Sequence, residues 1–122
     1  MKRILIAALL AAVALGPAAA QQRPYKTTDD GVKPPVLVKE VKPKYTRSAM
    51  DRQVQGIVEV EAVVLADGTV GDVTVKRSLD SELDEEAVKA TREWRFRPGT
   101  KDARPADVLV NIELSFTLKD KK

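Results

Sequence analysis

Gly56-Ile57-Val58-Glu59-Val60-Glu61-Ala62-Val63-Val64-Leu65, followed by Ala66-Asp67-Gly68-Thr69, decides the fold of this 122-residue chain. Val58, Val60, Ala62 and Val64 alternate with Glu59, Glu61 and Val63, a period of two that turns one face to a core and the other largely to water. That pattern is a half-buried antiparallel strand. Asp67-Gly68 between apolar runs is a hairpin signal, and it predicts a type I′ turn with positive φ at both central residues. The return strand covers residues 70–78 with Val73 and Val75 inward. Val70 and Val73 are out of step for strict alternation, so Gly71-Asp72 marks a bulge.

Downstream, Ser81 with Asp84 three residues on predicts a capped helix start. Glu82, Glu85 and Glu86 lie in the first turns and Lys89 and Arg92 near the end, as the helix dipole favours. Leu83, Ala87, Ala90 and Trp94 form one apolar stripe that should lie across the sheet. A polar loop over residues 99–105 leads to the last strand. There Val108, Val110, Ile112, Leu114, Phe116 and Leu118 alternate with Leu109, Asn111, Glu113, Ser115 and Thr117. Upstream, Ala49, Gln53 and Val54 share one side of a short helix, with Thr46 as N-cap and Gly56 as its stop. The expected fold class is α+β: a two-layer α-β-β-α-β domain with a three-stranded antiparallel sheet covered on one face.

Residues 1–20 have the form of a secretory signal: Lys2 and Arg3, an apolar run over residues 4–15, and Ala18-Ala19-Ala20 as the cleavage site. The rival is an uncleaved anchor, but a spanning helix needs roughly twenty apolar residues. Cleavage after Ala20 makes the mature protein exported, and it removes two bases. That leaves 19 Lys and Arg against 18 Asp and Glu. A near-neutral chain of interspersed charge gives no sign of nucleic-acid binding. It has no Cys, so no disulfide staples it and the apolar core must suffice. Residues 21–40, with Pro24, Pro34 and Pro35 and scattered Lys, are expected to be a flexible lead-in to a domain over residues 41–119. Val36-Leu37-Val38 is the exception, an extended patch able to lie on the domain as an edge strand.

The ordered set Pro43-Lys44-Tyr45, Ala49, Gln55-Gly56, Val58 and Val60, Asp67-Gly68, Val70, Val73 and Val75, Ser78, Leu83-Asp84, Ala87, Trp94, Phe96, Pro98 and Val110-Asn111-Ile112 resembles the C-terminal domain of TonB. The resemblance runs from Val41 to Leu118. It implies a clamp in which a short segment of an outer-membrane transporter, the TonB box, lies beside the last strand and extends the sheet, which is β-augmentation. By resemblance the docking strand is Val108–Phe116, with Val108, Leu109, Val110, Asn111, Ile112, Glu113 and Leu114 as peptide-binding residues. The family's Gln-Pro pair beside the groove falls on Lys42 and Pro43, so the Pro is kept and the Gln replaced. The Tyr-Pro that usually follows appears as Tyr45-Thr46. Full TonB proteins resemble an anchor helix with a functional His, a long Pro-rich spacer and the clamp. This chain has no His and a short lead-in, so it reads as a free-standing adaptor, or as an anchored energy transducer if the N-terminal segment is retained.

Three classes of function compete: capture of an envelope-protein peptide, a structural homodimer built by pairing edge strands, and an enzyme. The expectation is no enzyme, no cofactor, no metal and no small-molecule substrate. With neither His nor Cys and no phosphate-binding glycine loop, the only paired carboxylates, in Asp84-Glu85-Glu86, sit where a helix start wants negative charge. Trp94, Phe96 and Pro98 read as core and helix exit. Arg92, Arg95, Arg97, Lys101 and Arg104 read as a solvated face, with an acidic surface as the alternative, and Tyr45 as packing or as the flank of a groove. An open last strand of this length invites aggregation, so residues 35–38, a second subunit or a ligand should cover it.

Overall fold

The computed structural model describes residues 23–118. The signal-peptide reading of residues 1–20 lies outside that range. In chain order the elements are β1 (Tyr25–Lys26), β2 (Val32–Lys33), β3 (Val36–Lys39), α1 (Arg47–Asp51), β4 (Gly56–Val64), β5 (Val70–Arg77), α2 (Ser81–Arg92), β6 (Arg95–Arg97), β7 (Thr100–Lys101), β8 (Arg104–Pro105) and β9 (Val108–Phe116). The main sheet has the order β1-β9-β4-β5, so the expected antiparallel trio gains a short parallel fourth strand. β2-β7-β8 and β3-β6 form two smaller sheets.

Period-two patterning works as read. Val58, Val60, Ala62 and Val64 are fully buried, and β9 contributes Val108, Leu114 and Phe116 to the same side. α2 lays Leu83 and Ala87 into one cluster with Val58, Val60, Leu114 and Phe116, Ala90 is buried on the same helix, and Trp94 follows directly behind it. Each fully buried Val or Leu contributes about 1.5–3 kcal/mol of apolar transfer. No disulfide backs up this core. β4 and β9 stay in unbroken antiparallel register from Gly56↔Phe116 to Val64↔Val108. β5 does not: Ala62↔Val73 passes to Val64↔Val70, an extra residue at the expected Gly71-Asp72 bulge, and Glu59↔Arg77 passes to Val60↔Val75, a second bulge at Lys76.

Several local expectations are corrected. The β4–β5 turn is not type I′, because Gly68 takes positive φ (+89°) while Asp67 does not. Gly68 N–H donates to Leu65 O and Leu65 N–H to Thr69 O, both at 2.8 Å, which is the longer hairpin with a glycine bulge. Gly68 is needed there because a Cβ would fall 2.2 Å from Phe96 O. The N-cap of α2 is Asp80 and not Ser81: its carboxylate accepts from Glu82 and Leu83 N–H, and Asp84 reaches back to Leu79 N–H at 3.0 Å. Thr46 caps α1 as expected, accepting from Ala49 N–H at 3.1 Å. α1 ends before Gly56, through Gln53 at φ +57°, with Gln53 N–H on Met50 O (2.9 Å) and Val54 N–H on Ala49 O (3.0 Å), a Schellman closure.

The lead-in read as flexible contributes three strands to the fold. β3 pairs with β6, Leu37 opposite Phe96, so residues 35–38 do not cover the last strand. β1 covers its start instead. The polar loop over residues 99–105 contains the β7–β8 hairpin, with Asp102 and Ala103 both at positive φ.

Candidate functional site

β9 is a nine-residue strand in unbroken register with β4 on one side. On its other side Tyr25 and Lys26 pair with Val108 and Leu109. Beyond Leu109, no strand among the described residues pairs with that edge. The open run is residues 110–116, roughly 23 Å of strand at 3.3 Å per residue. A row of unpaired backbone donors and acceptors of this length is a template for another strand.

The nine residues picked from the sequence divide accordingly. Val108 and Leu109 are engaged by β1, and Val108 is fully buried. Val110, Asn111, Ile112, Glu113 and Leu114 lie on the open run, Leu114 turned into the core and Asn111 and Glu113 exposed. Lys42 and Pro43, distant in sequence, line a cleft of about 360 Å3 together with Glu113, Leu114 and Phe116. The strap that carries them is pinned at both ends. Trp94 Nε1–H donates to Val41 O at 2.8 Å, and Tyr45 O–H donates to Val54 O. Tyr45 also meets Phe116 edge-on at 5.4 Å between ring centroids, so one side chain packs the core and lines the cleft.

Glu40, Tyr45, Trp94, Ser115 and Thr117 complete the cleft; the sequence reading gives Tyr45 as packing or a groove flank and Ser115 as part of the docking strand, and gives Glu40, Trp94 and Thr117 no site role. Ser115 and Thr117 continue the exposed alternation of Asn111 and Glu113, a signal that was available. Glu40 is carried there by the strap, for which the sequence offers no period, and Trp94 reaches it from the exit of α2, where its indole N–H holds Val41 O. Glu40, Lys42 and Glu113 give the cleft mixed charge. Across the ladder Glu113 faces Glu59, a like-charge pair, and Glu59 also has Arg77 opposite it on β5. Among the described residues no cluster of three or more His, Cys, Asp or Glu is placed to hold a metal ion.

The profile of the family described as the Gram-negative bacterial TonB protein C-terminal matches residues 41–118. Protein tonB2 of Pseudomonas aeruginosa is 35% identical over 77 residues, covering 62% of this chain and 28% of that protein. Protein TonB of Vibrio cholerae is 30% identical over 88 residues, covering 71% of this chain and 36% of that protein. The chain thus spans about a third of the length of the curated relatives it matches. The solution NMR structure of the Pseudomonas aeruginosa TonB CTD superposes with a TM-score of 0.60 at 23% identity, over 80% of this chain and 96% of that one, and it shares the fold. A matching profile over most of the chain, with the strap, the paired strands and the covering helix in place, makes this protein a member of the TonB C-terminal domain family.

Proposed function

We propose that this chain is a periplasmic interaction module that captures an extended segment of another envelope protein, of the TonB-box kind carried by outer-membrane transporters, by adding it as a strand to β9 along residues 110–116. The observation that carries this reading is the unequal condition of the two sheet edges. β5 bears two bulges, which throw its outward backbone groups out of step with a straight partner, while β9 is regular over its whole length. Affinity then comes from backbone hydrogen bonds, each worth a net 0.5–1.5 kcal/mol or so before ordering costs. Selectivity comes from the side chains flanking the edge: Lys42, Pro43 and Tyr45 on the strap and Asn111, Glu113 and Ser115 on the strand.

The test is titration of isotope-labelled residues 21–122 with synthetic TonB-box peptides, read by amide NMR. Shifts concentrated on residues 110–116 and on Lys42, Lys44 and Tyr45 are expected, and Asn111→Lys with Glu113→Lys should weaken binding. Shifts along β5, or a stable dimer with β9 protected before any peptide is added, would overturn the reading. The dimer result would replace it with self-association.

A further inference from the structure

The edge of β9 is sealed at one end by the chain itself. Tyr25 and Lys26 run parallel to Val108 and Leu109, and Tyr25 N–H donates to Asp107 O at 2.9 Å. The pairing ends after two residues because the chain turns off the sheet. Lys26 N–H is taken by Asp29 Oδ2 at 2.9 Å, and Asp29 N–H returns to Lys26 O at 3.0 Å. The turn is braced from behind, by contacts that do not involve β9. Lys101 Nζ donates to Asp30 O at 2.6 Å and lies 5.6 Å from the Tyr25 ring centroid, and Asp102 N–H donates to Gly31 O at 2.9 Å. Val32 and Lys33 then pair with Lys101 and Thr100. Where β1 leaves the edge, a notch of about 210 Å3 opens, lined by Lys26, Thr27, Thr28, Glu61, Leu109 and Asn111.

Resting on the docking reading above, we infer that β1 and its turn are a register stop for the docked strand. A partner on a regular edge can slide by two residues and still present the same face, so backbone pairing alone leaves its position undefined. A braced obstacle at Leu109 removes that freedom. The captured strand is confined to residues 110–116, and its end lodges in the notch against Thr27 and Thr28. Five of the six lining side chains are polar or charged, so the residue seated there is a polar one. Tyr25, Lys26 and Asp29, which touch none of the cleft around Lys42 and Pro43, thereby set which residues of the partner reach that cleft.

The experiment uses the chain of residues 21–122, its Tyr25→Pro variant, and TonB-box peptides of seven and eleven residues. Tyr25→Pro deletes the N–H that bonds Asp107 O, together with the ring beside Lys101, and leaves the β2–β7 pairing and β9 untouched. Asp29→Ala, which removes the acceptor that turns the chain, provides a second route to the same state. Amide hydrogen exchange on the bound unmodified chain should show new protection over residues 110–116 that stops short of Leu109. In both variants the protection should extend to Leu109, and the eleven-residue peptide should gain about fivefold in affinity over the seven-residue one, as two more strand pairs allow. Protection gained on adding peptide that runs through Val108 in the unmodified chain, or equal affinities throughout, would overturn the stop while leaving docking in place. No protection of β9 in any of the proteins would remove the docking reading and the stop with it.

Discussion

Gly68→Ala tests how hard the β4–β5 turn presses on the strand beneath it. The glycine sits at φ +89°, where an L-residue costs about 1–2 kcal/mol more than glycine. The new Cβ would fall 2.2 Å from Phe96 O, a backbone atom that no rotamer change can move aside. The turn must therefore back away, and doing so breaks the 2.8 Å hydrogen bond from Phe96 N–H to Gly68 O. Leaving that pair unsatisfied costs about 1–3 kcal/mol. The sum is about 3 kcal/mol, or at least about 12 °C in Tm for a domain of this size. Urea unfolding followed through Trp94, the single tryptophan and 7% exposed, measures it directly. Gly71→Ala is the matched control, since Gly71 lacks a positive φ and its Cβ would meet only the Leu65 side chain at 3.2 Å; its loss should stay below about 1 kcal/mol. If Gly68→Ala costs less than about 1 kcal/mol with an unchanged denaturant slope, the turn does not bear on β6 as described.

Gln53→Gly should raise stability by about 0.5–1 kcal/mol in the same assay, because it relieves a left-handed residue in a Schellman closure, and Ala103→Gly should do the same in the β7–β8 turn. Trp94→Phe keeps an aromatic ring but removes the donor to Val41 O, so it should cost about 1–3 kcal/mol and release the strap, seen as shifted amides at Lys42 and Lys44. Asp80 is held below the ordinary carboxylate range by its hydrogen bond from Arg52, and Asp67 by its hydrogen bond from Thr69. Both contribute stability that is complete above the unfolded pKa near 4 and is lost as pH falls through their lower folded values. Acid titration of stability should therefore show a decline below about pH 4 that Asp80→Asn makes shallower.

Legibility in the sequence followed the range of the interactions. β4, α2 and β9 were readable because their periodicity extends over nine to twelve residues and reports burial directly. The bulge at Gly71-Asp72 was readable as a phase error in that period. β1, β2, β7 and β8 were not, because two-residue strands have no period and their partners lie about seventy or more residues away, or across a turn. Asp80 and Ser81 are both good caps one position apart, and the choice rests on contacts beyond them, Asp84 reaching back to Leu79 N–H and Arg52 holding the Asp80 carboxylate. The turn type escaped because Phe96 O, far along the chain, fixes the glycine's surroundings. In the candidate site, alternation marked which β9 residues face outward. That Lys42 and Pro43 stand beside them came from the family resemblance, and that Tyr25 and Lys26 close one end had no local signal at all.

The two bulges of β5 also bear on stoichiometry. A sheet able to accept a strand on both sides can grow without limit, each added chain offering a fresh edge to the next, and in a crowded compartment that route ends in fibres. With one margin kinked twice and the other regular, this sheet offers a straight template for a further strand on one side alone. On the docking proposed above, complexes formed through this sheet are expected to be one to one.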